Sequence, residues 1–172
     1  MKHAGLLAYP AETKRTHSVE QALKDFLKLS KSSKTIVLTG RIRALRGHGG
    51  ATFLDIEDGT GKIQALIKED KLGEKGYKFF LDIFDIGDFV EIKGSLFTTK
   101  RGEKTIEAQD YKMLAKALLP LPEKWHGLQD VEERLRKRYL DILFNPGVKD
   151  MIRKRAIFWN SIREFLIERD FL

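Results

Sequence analysis

The side-chain period changes from helical to two at Lys34, and this change constrains the possible fold more than any other feature. In TIVLTGRIRAL, Ile36, Leu38, Gly40, Ile42 and Ala44 alternate with Val37, Thr39, Arg41 and Arg43, the repeat that sends successive side chains to opposite faces of a strand. RGHGG (Arg46 to Gly50) reads as a flexible loop, ATFLDIEDG as a second strand, and Asp58-Gly59 as a hairpin turn into a third strand, KIQALIKED. Leu72 to Phe84 can form a connecting helix. DFVEIKGSLFTT and KTIEAQDYKMLAKAL then supply two longer strands on either side of KRGE.

Three strands, a helix and two more strands is the element order of an oligonucleotide/oligosaccharide-binding (OB) barrel. Other small barrels also use five strands, but the helix between the third and fourth favours this one. Before the barrel, SVEQALKDFLKL (Ser18 to Leu29) carries Val19, Ala22, Leu23, Phe26 and Leu27 at helical spacing. Ser18 as N-cap with Gln21 three residues on matches a capping box. After the barrel comes LPLPEKWHGLQDVEERLRKRYLDILFNP, which is neither clean helix nor clean strand. Asn145-Pro146 then pairs an N-cap with a proline in the first helical turn. The helix expected over Val148 to Arg169 has Val148, Met151, Ile152, Phe158, Trp159, Ile162, Phe165 and Leu166 on one side. A stripe with nothing among these residues to cover it is expected where a chain is cut. The predicted class is mainly β with helices: a five-stranded OB barrel preceded by an N-terminal helix and followed by a linker and a long C-terminal helix. The expected boundaries are 1–33 for the extension and helix, 34–118 for the barrel, 119–145 for the linker and 146–172 for the start of a further domain.

A chain of 172 residues can bury one domain plus an appendage. No apolar run reaches the length that crosses a bilayer, and the first residues lack a secretory signal's apolar core, so no membrane partner is expected. The absence of cysteine excludes disulfides and thiolate metal sites and fits a reducing, cytoplasmic setting. The four histidines lack metal-binding spacing, and no zinc site is predicted. A net charge of +7 fits a polyanionic partner, most simply nucleic acid, or a basic protein with no such partner.

Strand parity selects candidate binding residues. Leu54 and Ile56 point one way and Phe53, Asp55 and Glu57 the other; Ile63, Ala65 and Ile67 oppose Lys62, Gln64 and Leu66. A hairpin closing on Asp58-Gly59 sets Leu54 opposite Ile63 and Phe53 opposite Gln64. An outward aromatic beside an amide makes a base-stacking platform with a hydrogen-bonding neighbour; a lone outward Phe more often packs beneath a loop or helix. Arg41, Arg43 and Arg46 lie on or beyond this face, where they would serve phosphate contacts, stacking or an edge contact. Glu103, in the turn between the last two strands, is either a solvated turn residue or an acceptor for a base donor. Catalytic signatures are missing: there is no P-loop, no GxSxG and no cysteine nucleophile. The pairs Asp55/Glu57 and Glu132/Glu133 are expected to face solvent.

The stretch KALLPLPEKWHGLQDVEERLRKRYLDIL (Lys116 to Leu143) closely resembles the connector after the anticodon-binding barrel of class II lysyl-tRNA synthetases. LAYPAETKRTH, GRIRALRGHGGATFLDIEDGTGKIQ and TTKRGEKTI resemble the same family's N-terminal segment, first barrel hairpins and last barrel turn. NPGVKDMIRKRAIFWNSIREFLIERDFL resembles the start of the first class II motif, whose long helix helps form a homodimer interface. Aspartyl- and asparaginyl-tRNA synthetases share the barrel and RYLD, while HGLQD and the Gly-Glu turn favour lysine.

The resemblance implies a tRNA(Lys) anticodon stem-loop as partner. Phe53 would stack on an anticodon uracil, Gln64 would bond a base edge, Arg46 would contact base or phosphate, and Glu103 would accept from uracil N3–H, consistent with a UUU/CUU anticodon. Gly50 stands where Lys or Arg is common, Leu135 where Tyr is usual, and Asp170 where Gly is usual. The parent enzyme would use ATP and Mg²⁺ to form lysyl-adenylate and would be a homodimer through the 148–169 helix. Those catalytic motifs are expected beyond Leu172, so this chain alone holds no cofactor and is expected to be inactive. A free-standing OB protein that binds single-stranded nucleic acid, or a mainly structural piece with a dimerising helix, are the alternatives.

Overall fold

The structure, a computed structural model, describes residues 9–122, 128 and 130–171. The WHG part of the connector lies outside the described residues. The chain divides into two compact units, Met1–Leu121 and Pro122–Leu172.

The first unit begins with α1 (Val19–Lys24) and α2 (Phe26–Lys31), where a single helix was expected. The predicted capping box is present: Ser18 Oγ accepts from Gln21 N and Gln21 Oε1 accepts from Ser18 N. The break falls at Asp25 (φ −91°, ψ 14°), a residue type whose side chain competes with the helical backbone. Val19, Ala22, Phe26 and Leu29 still share a buried face across the break.

Five strands follow: β1 (Ile36–His48), β2 (Ala51–Glu57), β3 (Lys62–Lys68), β4 (Phe89–Thr98) and β5 (Lys104–Ala115), with α3 (Glu69–Ile83) between β3 and β4 and a kink in α3 at Gly73. They close into a barrel in the order β1-β2-β3-β5-β4, with only β3 and β5 parallel. The core is built from alternating inward residues such as Ile36, Leu38, Ile42, Leu54, Ile56 and Ile92, all fully buried. Each contributes about 1.5–3 kcal/mol by leaving water. α3 adds Tyr77 and Phe80 to that core, where Phe80, Phe84 and Tyr111 form an aromatic cluster.

Three expectations for the barrel need correction. RGHGG is not a loop. β1 runs through Arg46, Gly47 and His48, and only Gly49-Gly50 turn, with Gly49 at φ 58°, a conformation glycine adopts without strain. The β2–β3 loop spans Asp58 to Gly61, so Leu54 pairs with Ala65 and Phe53 with Leu66, a slip of two from the predicted register. The Asp58 carboxylate sets that loop length by accepting from Thr60 N, Thr60 Oγ1 and Gly61 N, and it also accepts from Val19 N at the start of α1. A slip of two preserves faces, so Phe53 and Gln64 remain on the outside. Finally, β1 is bulged between Ile42 and Ala44, which moves Ala44 from the inner face to the outer, opposite Asp55.

In the second unit the stretch expected to be a plain linker contains α4 (Val131–Arg136) and α5 (Arg138–Phe144), followed by α6 (Pro146–Ile167). Asp130 caps α4 through Glu133 N. Pro146 opens α6, but the Asn145 side chain does not cap it; its Nδ2 donates to Asp141 instead. Asp170, where the resemblance expects Gly, has φ 60°, a left-handed helix terminus that costs a non-glycine residue about 1–2 kcal/mol. No residue of α6 is buried, and Phe158, Trp159 and Phe165 are more than half exposed.

Candidate nucleic-acid interface

The bulge in β1 is what creates the site. By strict alternation Arg46 shares the parity of Ile42 and would point into the core. The extra residue at Arg43 shifts the phase, so Leu45 pairs with Leu54 and Arg46 pairs with Phe53 on the outer face.

There Arg46 lines an open concavity of about 470 Å³, together with Leu23, Asp55, Lys62, Ile63, Gln64, Gly102, Glu103 and Lys104. Arg46, Gln64 and Glu103, distant in sequence, thus meet at one place. The buried Thr105 hydroxyl lies 2.9 Å from Gln64 Oε1 and 3.2 Å from Glu103 O, so its one proton is shared between the two residues that line the concavity. Glu103 is held by its backbone: its N–H donates to Thr99 Oγ1 and its carbonyl accepts from Thr99 N. Its side chain is exposed at the rim. Phe53 is half-buried and sits between Arg46 on β1 and Leu66 on β3, outside the lining of the concavity but on the same face. Leu66, predicted to be merely outward, is 4% exposed and backs Phe53.

Arg41 and Arg43 lie away from this concavity. The Arg41 guanidinium stands 4.4 Å from the Phe89 ring centroid. Burial, and then the charge of Arg43, lower its pKa. Arg43 Nε pairs with Glu57 at 3.1 Å.

Sequence reasoning passed over Asp55, Lys62 and Lys104. Asp55 was expected to face solvent but is 8% exposed. Its Oδ1 lies 2.8 Å from Arg46 Nη2, and its Oδ2 lies 3.5 Å from Arg46 Nη1 and 3.4 Å from Lys62 Nζ. Burial works against ionisation of Asp55, but the Arg46 hydrogen bond and charge, aided by Lys62, outweigh it and hold the carboxyl below its usual range. Lys104 Nζ reaches Leu23 O at 3.5 Å and lies over the Phe26 ring, tying the helical pair to the rim. The outward parity of Asp55, shared with Phe53, was the available signal for the first of these.

The basic run of the connector does not present free charge. Arg136 pairs with Glu132 and Lys137 with Glu133, each at i,i+4. Arg134 and Arg138 both bind the fully buried Asp141. Burial alone would raise the Asp141 pKa, yet hydrogen bonds from Asn145, Arg134 and Arg138 bring it below the usual range. Arg134 and Arg138 thus join α4 to α5 through Asp141, while the Arg136 and Lys137 pairs lie at the surface of α4.

Among the described residues no group of three His, Cys, Asp or Glu could hold a metal ion. None of the described helices is long and apolar enough to cross a membrane.

The barrel order β1-β2-β3-β5-β4 is that of the OB class, and residues 36–114 match the family described as OB-fold nucleic acid binding domain. Along its whole length the chain is similar to lysine–tRNA ligases. It is 42% identical over 172 residues to that of Carboxydothermus hydrogenoformans and 41% identical over 172 residues to that of Pelotomaculum thermopropionicum, covering all of this chain and 35% and 33% of those relatives. It is 49% identical over 139 residues to that of a Thermoanaerobacter species, covering 81% of this chain and 28% of the relative. The chain spans about a third of the length of the curated relatives it matches.

Proposed function

We propose that residues 34–118 read the anticodon of a lysine tRNA as the recognition part of a cytoplasmic lysine–tRNA ligase. The observation that carries this reading is the meeting of Arg46, Gln64 and Glu103 around one concavity, beside the outward ring of Phe53. The chemistry suits uracil. Its N3–H needs an acceptor, which Glu103 supplies, and its flanking carbonyls need donors, which the Gln64 NH₂ and the Arg46 guanidinium supply. Phe53 offers a ring face on which a base can stack. Cytosine at the same place would turn an N3 lone pair toward the Glu103 carboxylate, so the site rejects it by repulsion as well as by a lost bond.

In the whole enzyme, ATP and Mg²⁺ would serve lysine activation, and lysine would then pass to the tRNA. The described residues offer no metal-binding group, and no step of that chemistry is assigned to them. Residues 146–172 fit the start of the catalytic domain, and the exposed apolar stripe of α6 suits a homodimer contact in the complete protein.

The reading is tested by the binding of this chain to an RNA hairpin with a UUU loop and to one whose central uracil is replaced by cytosine. The UUU hairpin should bind more tightly, and Phe53→Ala should weaken it by about 1–3 kcal/mol. Equal affinity for both hairpins, the behaviour of a sequence-indifferent single-strand binder, would sink the assignment.

A further inference from the structure

We infer that Asp55 is a positioning residue of this interface: by gripping the Arg46 guanidinium on two nitrogens it fixes the orientation in which Arg46 meets a base edge, and so governs discrimination rather than affinity. The inference rests on the anticodon reading of the same concavity.

A carboxylate at the bottom of a polyanion-binding surface opposes binding by simple Coulomb repulsion. Asp55 nevertheless sits there, 8% exposed, with one oxygen 2.8 Å from Arg46 Nη2 and the other within reach of both Arg46 Nη1 and Lys62 Nζ. Its position follows from the fold, since the bulge in β1 puts Arg46 and Ala44 outward and sets Ala44 opposite Asp55. The Arg46 side chain is otherwise half exposed, and a free arginine there would have many rotamers to lose on binding. A two-point grip on a planar fork removes that freedom in advance. Arg46 so held lines the same concavity as Glu103. The depressed pKa of Asp55 agrees with a carboxylate that stays charged in this role.

The test uses the full chain with Asp55→Asn, a near-isosteric change that keeps the oxygen but loses the charge and one acceptor. The ratio of affinities for the UUU hairpin and its central-cytosine counterpart should fall about two- to tenfold. Affinity for the cytosine hairpin should hold or rise, because a negative charge has left a surface that binds phosphates. Asp55→Glu should restore part of the ratio. A purely structural role would instead lower both affinities in parallel, and that result overturns the inference. An unchanged ratio in Asp55→Asn, with a wild type that discriminates, overturns it too and leaves the anticodon reading intact. A wild type that does not discriminate overturns the reading and this role together. The grip is also visible without any variant: slow rotation of a clamped guanidinium should resolve the Arg46 Nη protons by NMR in the RNA-free protein, and a single averaged signal contradicts it.

Discussion

Gly94→Ala should destabilise the barrel by about 3 kcal/mol or prevent its folding, the upper end for overpacking. A Cβ at this position would lie 2.0 Å from Glu107 O and 2.8 Å from Glu107 C. Both are backbone atoms, so no rotamer change can relieve the overlap. Nor can β4 step aside, because Gly94 pairs with Ile36 on β1 and with Ala108 on β5. The β4–β5 ladder shifts register between Lys93 and Gly94, and the missing side chain lets the strands cross closely there. Relief would have to come from moving Glu107, and with it Thr105 and Glu103, which carry one wall of the interface. Chemical denaturation is the measurement, and a variant with wild-type stability would show that β4 and β5 do not cross as described. Gly50 makes the contrast: there a Cβ would meet only the side chain of Glu69, which can move.

Phe80→Ala should cost about 3–5 kcal/mol. Phe80 is 1% exposed, stacks on Phe84 at 4.7 Å between ring centroids, and meets Tyr111 edge-on at 5.2 Å. Removing the ring leaves a cavity that α3 and β5 cannot readily close, because Tyr111 Oη donates to Gly76 O at 2.6 Å and holds the two elements at their present separation. The denaturation midpoint should fall with little change in slope. RNA binding under conditions where the variant stays folded should persist, because Phe80 lies in the core and away from the outer face. A loss below about 1 kcal/mol would mean that the aromatic cluster is not the anchor of α3.

What could be read from the residues alone, and what could not, divides along a physical line. Alternation and the Ser18/Gln21 capping box are local signals; the first led to five strands and the second to the start of α1, though not to the break at Asp25. Phe53 and Gln64 reached the correct face because parity survives an error of two in register. That error arose at Asp58, whose side chain organises a longer loop than its dipeptide with Gly59 implies. The bulge at Arg43 left no mark in the alternation, and it decides that Arg46 points outward. The grouping of Arg41 and Arg43 with Arg46 followed from the open side of the first strand; in the barrel Arg41 stands over Phe89 and Arg43 pairs with Glu57. In the connector, the acidic residues were as legible as the basic ones, but the sharing of Asp141 by Arg134 and Arg138 depends on how α4 meets α5.

The central claim is that bases are read on the outer face of β1, β2 and β3 and at the β4–β5 turn. NMR mapping of the isotope-labelled chain during titration with the UUU hairpin tests it most directly. The account predicts shifts concentrated at Arg46, Phe53, Gln64 and Glu103. Shifts confined to the smaller concavity lined by Lys14, Lys93 and Lys112, with those four residues unmoved, would contradict it.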